Sequence, residues 1–162
     1  MKLRRLGLAV GLAVALIACR AEPAANVSET SAARTAPSGL ALVPLEIRSG
    51  TRTHRFTVEI AASPDEQAQG LMFRETLGPN EGMIFPFPYP RVAGFWMRNT
   101  LIPLDMIFIR EDGTIARIAA GTTPLSEETV SAGEPVIAVL EIRGGRSAEL
   151  GIATGDRVSW PR

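Results

Sequence analysis

Two carboxylic acids stand among residues that would normally exclude them. Asp105 opens the run Asp-Met-Ile-Phe-Ile, and Glu141 falls near the end of Val-Ile-Ala-Val-Leu-Glu-Ile. In strand parity Asp105 shares a face with Ile107 and Ile109, and Glu141 shares one with Ile137 and Val139. If those faces point inward, both carboxyls lie at the edge of a core, where an unpaired charge is very costly. They need partners. Arg74, Arg98, Asn99 and Thr100 occupy polar breaks between apolar runs and are the candidates. One arrangement is a buried structural network in which arginine–carboxylate bridges fix loops to a sheet. Another is a pocket in which the same groups, with Trp96 as an apolar wall, hold a polar ligand. A third uses Asp105 and Glu141 as acid and base in glycoside hydrolysis, which depends on a separation that no sequence spacing sets.

Other chemistry is limited by inventory. Lys2 is the only lysine, Cys19 the only cysteine and His54 the only histidine. There is no lysine for a Schiff base or phosphate loop once a leader is removed, and no spare thiol for nucleophilic catalysis. No Cys/His cluster suits zinc, so no metal and no cofactor is expected. His54 shares parity with Phe56 and Val58 and reads as a satisfied, half-buried histidine more readily than a catalytic one. Met72, Met83, Met97 and Met106 are thioethers that would suit Cu(I), but each is set among apolar residues and reads as core. Phe85, Phe87, Tyr89 and Phe95 surround a proline-rich stretch; they suit either a sugar or peptide platform or ordinary packing of that loop onto a sheet. No serine has a G-x-S-x-G context.

The first residues read as an export signal. Lys2, Arg4 and Arg5 precede 13 uncharged residues, 6–18, the length of a signal-peptide apolar region and too short to span a bilayer comfortably. Leu16-Ile17-Ala18-Cys19 resembles a bacterial lipobox, which makes residues 1–18 a signal peptide and Cys19 the lipidated N-terminus. Arg20, where aspartate would signal inner-membrane retention, favours the outer membrane; a soluble periplasmic product is the alternative. Residues 20–39 are rich in Ala, Ser, Thr and Pro and read, with Cys19, as a disordered tether over 19–39. Removing the three leader cations leaves 14 basic against 17 acidic residues, a net charge of −3, so nucleic acid is not an expected partner. The expected partners are the membrane, through the lipid on Cys19, and a small polar ligand, a glycan or an envelope protein.

Residues 40–162 must then supply the elements that position the acids. Strands are predicted at 40–47 and 54–60, joined at Ser49-Gly50 as a hairpin. Ser63, Pro64 and Glu66 form a capping box for a short helix that Gly70 ends. Further strands are predicted at 82–85, 93–97, 105–110 and 114–119, the last two joined at Asp112-Gly113. Prolines 86, 88, 90 and 103 fall between runs, where they would break pairing. Residues 136–142 read as a strand buried on both faces, followed by a helical turn at 147–150 and a closing strand at 157–160. The pattern predicts a mainly β fold, a small β-sandwich or partly closed β-barrel with one or two short helices.

The order of Gly70-Leu71-Met72-Phe73-Arg74, Gly82-Met83-Ile84-Phe85, Phe95-Trp96-Met97-Arg98-Asn99-Thr100, Ile102-Pro103-Leu104-Asp105, Val139-Leu140-Glu141 and Gly155-Asp156 resembles the domain of unknown function 192 family, from about residue 45 to 160. Arg98 stands where that family often has lysine. The resemblance implies a small β-rich domain, often exported or lipid-anchored. It implies no activity and transfers no functional residue. The sequence thus favours a non-catalytic, lipid-anchored envelope domain that binds through the region of Arg74, Trp96, Arg98, Asn99 and Asp105, part of a ligand-binding or structural polar cluster that also takes in Thr100 and Glu141. A carboxylate-dependent hydrolase of an envelope glycan or ester is the alternative.

Overall fold

The computed structural model describes residues 35–161. Residues 1–34, with the expected signal peptide and Cys19, lie outside the described residues. Nine elements follow in order: β1 (Leu42–Ser49), β2 (Arg52–Ile60), α1 (Pro64–Gln69), β3 (Glu81–Phe95), β4 (Leu104–Ile109), β5 (Ile115–Ala119), β6 (Val130–Arg143), α2 (Arg146–Leu150) and β7 (Arg157–Ser159). The seven strands form one sheet in the order β5-β4-β6-β3-β2-β1-β7. All neighbours are antiparallel except β2 and β3, whose parallel pairing requires the crossover that carries α1.

The sheet curls until its edge strands meet. Thr114 pairs with Arg157, Ile115 N–H donates to the Asp156 carbonyl at 2.8 Å, and Val158 N–H donates to that of Gly113 at 2.8 Å. This satisfies edge groups that would otherwise template pairing with another chain. Of the two architectures expected, the partly closed barrel is the one formed, and the sandwich is not.

Each face of the sheet buries its own core. Leu45, Ile47, Phe56, Val58, Ile107, Leu140 and Val158 fill the barrel interior. Met83, Phe85, Met97, Met106, Phe108 and Val139 line the outer face, where Leu71 and Leu77 cover them. Every residue of β4 is therefore buried, as are residues 136–142 of β6.

Local signals act as expected at several points. Ser63 caps α1, Glu66 returns the capping bond, and Gly70 closes the helix at φ 48°. Gly113, at φ 85°, turns the β4–β5 hairpin. Two expectations are corrected. The strands predicted at 82–85 and 93–97 are the two ends of β3, because the prolines between them interrupt pairing without ending the strand. Pro86 pairs with Ala138 but Arg91 pairs with Val136, so 86–91 bulges away from β6 where the prolines have no N–H to donate. Residues 35–39, expected in the tether, are ordered against the sheet: Thr35 pairs with Ala41, Ala36 is buried, and the Ser38 hydroxyl donates to Glu59.

Candidate functional site

Glu141 sits on the outer face of β6, directly opposite Met83 of β3 and Met106 of β4. Its residue exposure is only 4%, and no hydrogen bond reaches its carboxyl from any described residue. Desolvation among thioethers and phenyl rings penalises the charged form, and burial pushes its pKa up to about 8. Near neutral pH this shift favours the protonated acid, with one O–H to donate.

The carboxyl lines a pocket of about 370 Å³. Phe85, Phe95 and Leu71 provide apolar wall, α1 contributes Gln67 and Ala68, and Thr100, Trp96, Arg91 and Arg98 complete the lining. Phe95 is fixed by edge-to-face contacts with Phe85 and Phe108, at centroid distances of 5.1 and 6.3 Å. The Gln67 amide donates to the carbonyls of Ala61 and Pro86 at 3.1 and 2.9 Å, holding α1 over the proline bulge of β3. The same bulge carries Arg91, whose guanidinium lies 4.1 Å from the Phe87 ring centroid. Arg98 lies 5.5 Å from that of Trp96, an exposed indole.

The segments beside the pocket are tied to one another. Phe73 N–H donates to the Asn99 carbonyl at 2.8 Å, and the Asn99 amide reaches the Met72 sulfur at 3.7 Å. Both Phe73 and Asn99 have left-handed backbones, at φ 63° and 56°. Such conformations cost of order 1–3 kcal/mol for a non-glycine residue and persist only where the surroundings impose them.

The structure brings together four of the seven predicted residues: Trp96, Arg98, Thr100 and Glu141. The other three act elsewhere. Arg74 is paired with the nearly buried Glu59 at 2.6 Å, in a separate groove that includes Phe73 and residues 36–37. Asn99 shapes the loop through its backbone rather than lining the pocket.

Asp105 corrects the expectation most sharply. It pairs across the sheet with Ile142 while Glu141 pairs with Met106, so the two acids point to opposite faces. Asp105 is fully buried, and its partners are backbone amides rather than arginines. Gly121 and Gly145 donate to Oδ1 and Ser147 to Oδ2, each at 2.8 Å. The acid–base pairing of Asp105 with Glu141 is thereby excluded: no single cleft can contain both side chains.

His54 is half-buried on the Phe56 face as expected, but its Nε2 has no hydrogen-bond partner among the described residues. Met83, Met97 and Met106 are core, and Phe85 and Phe87 are buried while Tyr89 remains exposed. Sequence reasoning missed Glu59, Arg91 and Gln67. Glu59 falls on the face of β2 opposite Phe56 and Val58, and alternation in β2 gives no sign that this second face is also covered. Arg91 carried no signal beyond its place after Pro90.

The profile of the DUF192 family, described as uncharacterized ACR, matches residues 45–160. A crystal structure of a protein of unknown function from Novosphingobium aromaticivorans DSM 12444 is similar at 48% identity and a TM-score of 0.78, covering 82% of this chain and 95% of that one. A proposed transcription regulator from Sinorhizobium meliloti 1021 is similar at 41% identity and a TM-score of 0.73, covering 75% and 95%. No curated protein matches the chain. With the shared motifs carried by the strands and loops just described, and the family profile spanning nearly the whole barrel, the chain belongs to the DUF192 family.

Proposed function

We propose that this protein is a non-catalytic binding domain that takes a small ligand into the pocket between α1 and the outer face of the sheet. The observation that carries this reading is Glu141: a largely buried carboxyl that no described residue hydrogen-bonds and that lines a pocket. Polar groups in a protein interior are normally satisfied within it, and a carboxyl left open at a pocket wall is free to meet a partner that arrives from outside. Catalysis is the weaker reading. Among the described residues the lining holds one carboxyl but no second acid, no histidine and no thiol to complete an acid–base or nucleophilic set.

The same proposal places the domain at the periplasmic face of the envelope, held by lipid on Cys19, most simply at the outer membrane given Arg20. Nucleic acid is a poor partner for a mature chain of 14 basic and 17 acidic residues.

Native mass spectrometry of protein purified gently from its own host tests the pocket. The wild type should carry a small-molecule adduct that Glu141→Leu loses while staying folded. An adduct retained in Glu141→Leu places the ligand elsewhere and overturns the reading. For the anchor, metabolic labelling with a fatty acid should mark the wild type and not Cys19→Ser; an unlabelled wild type removes the lipoprotein assignment.

A further inference from the structure

The chemistry around the pocket restricts what can enter it. Arg91 and Arg98 both line it, and both are solvent-exposed. Among the described residues no carboxylate pairs with Arg91, and Arg98 meets only Glu127, at 4.0 Å with both side chains more than half exposed. Aromatic faces hold the two guanidiniums instead, which orients them without neutralising them. At the buried end stands Glu141. Burial raises its pKa, while the two guanidiniums are exposed. Phe85, Phe95 and Leu71 are among the apolar residues of the lining.

We infer that the pocket selects a ring-bearing organic anion, oriented with its carboxylate or phosphate toward Arg91 and Arg98 and an uncharged oxygen acceptor toward Glu141. This rests on the binding role proposed above and names the class of ligand. The two arginines put positive charge at the opening and the protonated Glu141 puts none at the floor, so an anion gains attraction that a neutral analogue lacks. An ammonium ligand is disfavoured because it would meet two guanidiniums with no carboxylate set against them at the pocket. Phe85, Phe95 and Trp96 offer aromatic contact to a ring, and the Glu141 hydroxyl is satisfied when a carbonyl or ether oxygen accepts from it.

Calorimetric titration of the mature chain near neutral pH with three probes tests this: 4-acetylbenzoate, its methyl ester, and 4-acetylbenzylamine. The acid should bind about tenfold more tightly than the ester, one charge-assisted contact's worth, and the amine most weakly. In the Arg91→Gln/Arg98→Gln double variant, acid and ester should bind alike. Glu141→Leu should weaken acid and ester together, because both present the acetyl oxygen. If the ester or the amine matches the acid, and Glu141→Leu still abolishes that binding, the anion preference falls and the pocket's binding role stands. If none of the three binds, both fall.

Discussion

Replacing Asp105 by alanine separates a structural role from a binding one, and the magnitude follows from its three contacts. The substitution leaves the amides of Gly121, Gly145 and Ser147 without their acceptor in a site where the parent residue is fully buried. A buried donor left unsatisfied costs about 1–3 kcal/mol, which for three gives roughly 3–9 kcal/mol. Water entering the vacated volume relieves part of this, so about 4 kcal/mol is the expected loss. Domains of this size are stable by about 5–15 kcal/mol, so most of the margin goes. With a urea m-value of about 2 kcal/mol/M, the midpoint should fall by about 2 M. Asp105→Asn keeps one oxygen for Gly121 and Gly145 but turns an amide donor toward Ser147 N–H, and should lose about half as much. The assay is urea unfolding followed by far-UV circular dichroism, with probe binding measured on the folded asparagine variant. That binding should be unchanged, since the pocket lies on the other face of the sheet. An alanine variant within about 0.5 kcal/mol of wild type would refute the structural account. So would a fully stable asparagine variant that no longer binds.

Glu141 should make stability depend on pH. A carboxyl whose pKa rises from 4.5 to about 8 on folding holds its proton in the native state and releases it on unfolding across that range. Its contribution is therefore greatest below pH 4.5 and falls, by roughly 4–5 kcal/mol at most, as pH approaches 8. Urea unfolding of wild type and Glu141→Gln at several pH values should show this slope in the wild type alone; parallel profiles would contradict it. Arg74 and Glu59 should couple in a double-mutant cycle by about 1–3 kcal/mol, above an ordinary surface pair because Glu59 is nearly buried, and a coupling near zero would count against it. Gly82→Ala should destabilise by about 2 kcal/mol or more in thermal melts, because its Cβ would come within 2.5 Å of the Glu141 carbonyl oxygen; an unchanged melt would show that β3 and β6 can separate without cost.

Much of the fold was legible because it is written locally. The capping box at Ser63 and Glu66, the Asp112-Gly113 turn and the doubly apolar run at 136–142 each depend on neighbouring residues, and each appears as expected. The joining of two predicted strands into β3 was not legible. Prolines report a missing donor, and whether the chain stops there or bulges depends on β6, which resumes pairing after a gap. The parity of Asp105 and Glu141 within their own runs was also readable. Their relative facing was not, because it needs the cross-strand register of β4 against β6, and a shift of one residue reverses it.

That register decides which acid is available for function. In sequence the two look alike, each an acid beside bulky aliphatic residues. In the barrel Asp105 faces a region where two loops return: the turn at Gly121 after β5, and Gly144-Gly145 leading into α2. Those loops bring amides, and glycines let backbone approach closely; at Gly144 even a Cβ would come within 2.9 Å of Pro103. Its acceptor capacity is therefore spent within the protein. Glu141 faces Met83, Met106 and the rings of the outer core, none of which can donate to it. A carboxyl placed there lowers the stability of the native state and gains nothing from its surroundings until another molecule supplies an acceptor. The contrast between three donors and none, rather than burial or acidity, makes Asp105 a structural residue and leaves Glu141 as the group on which the binding proposal rests.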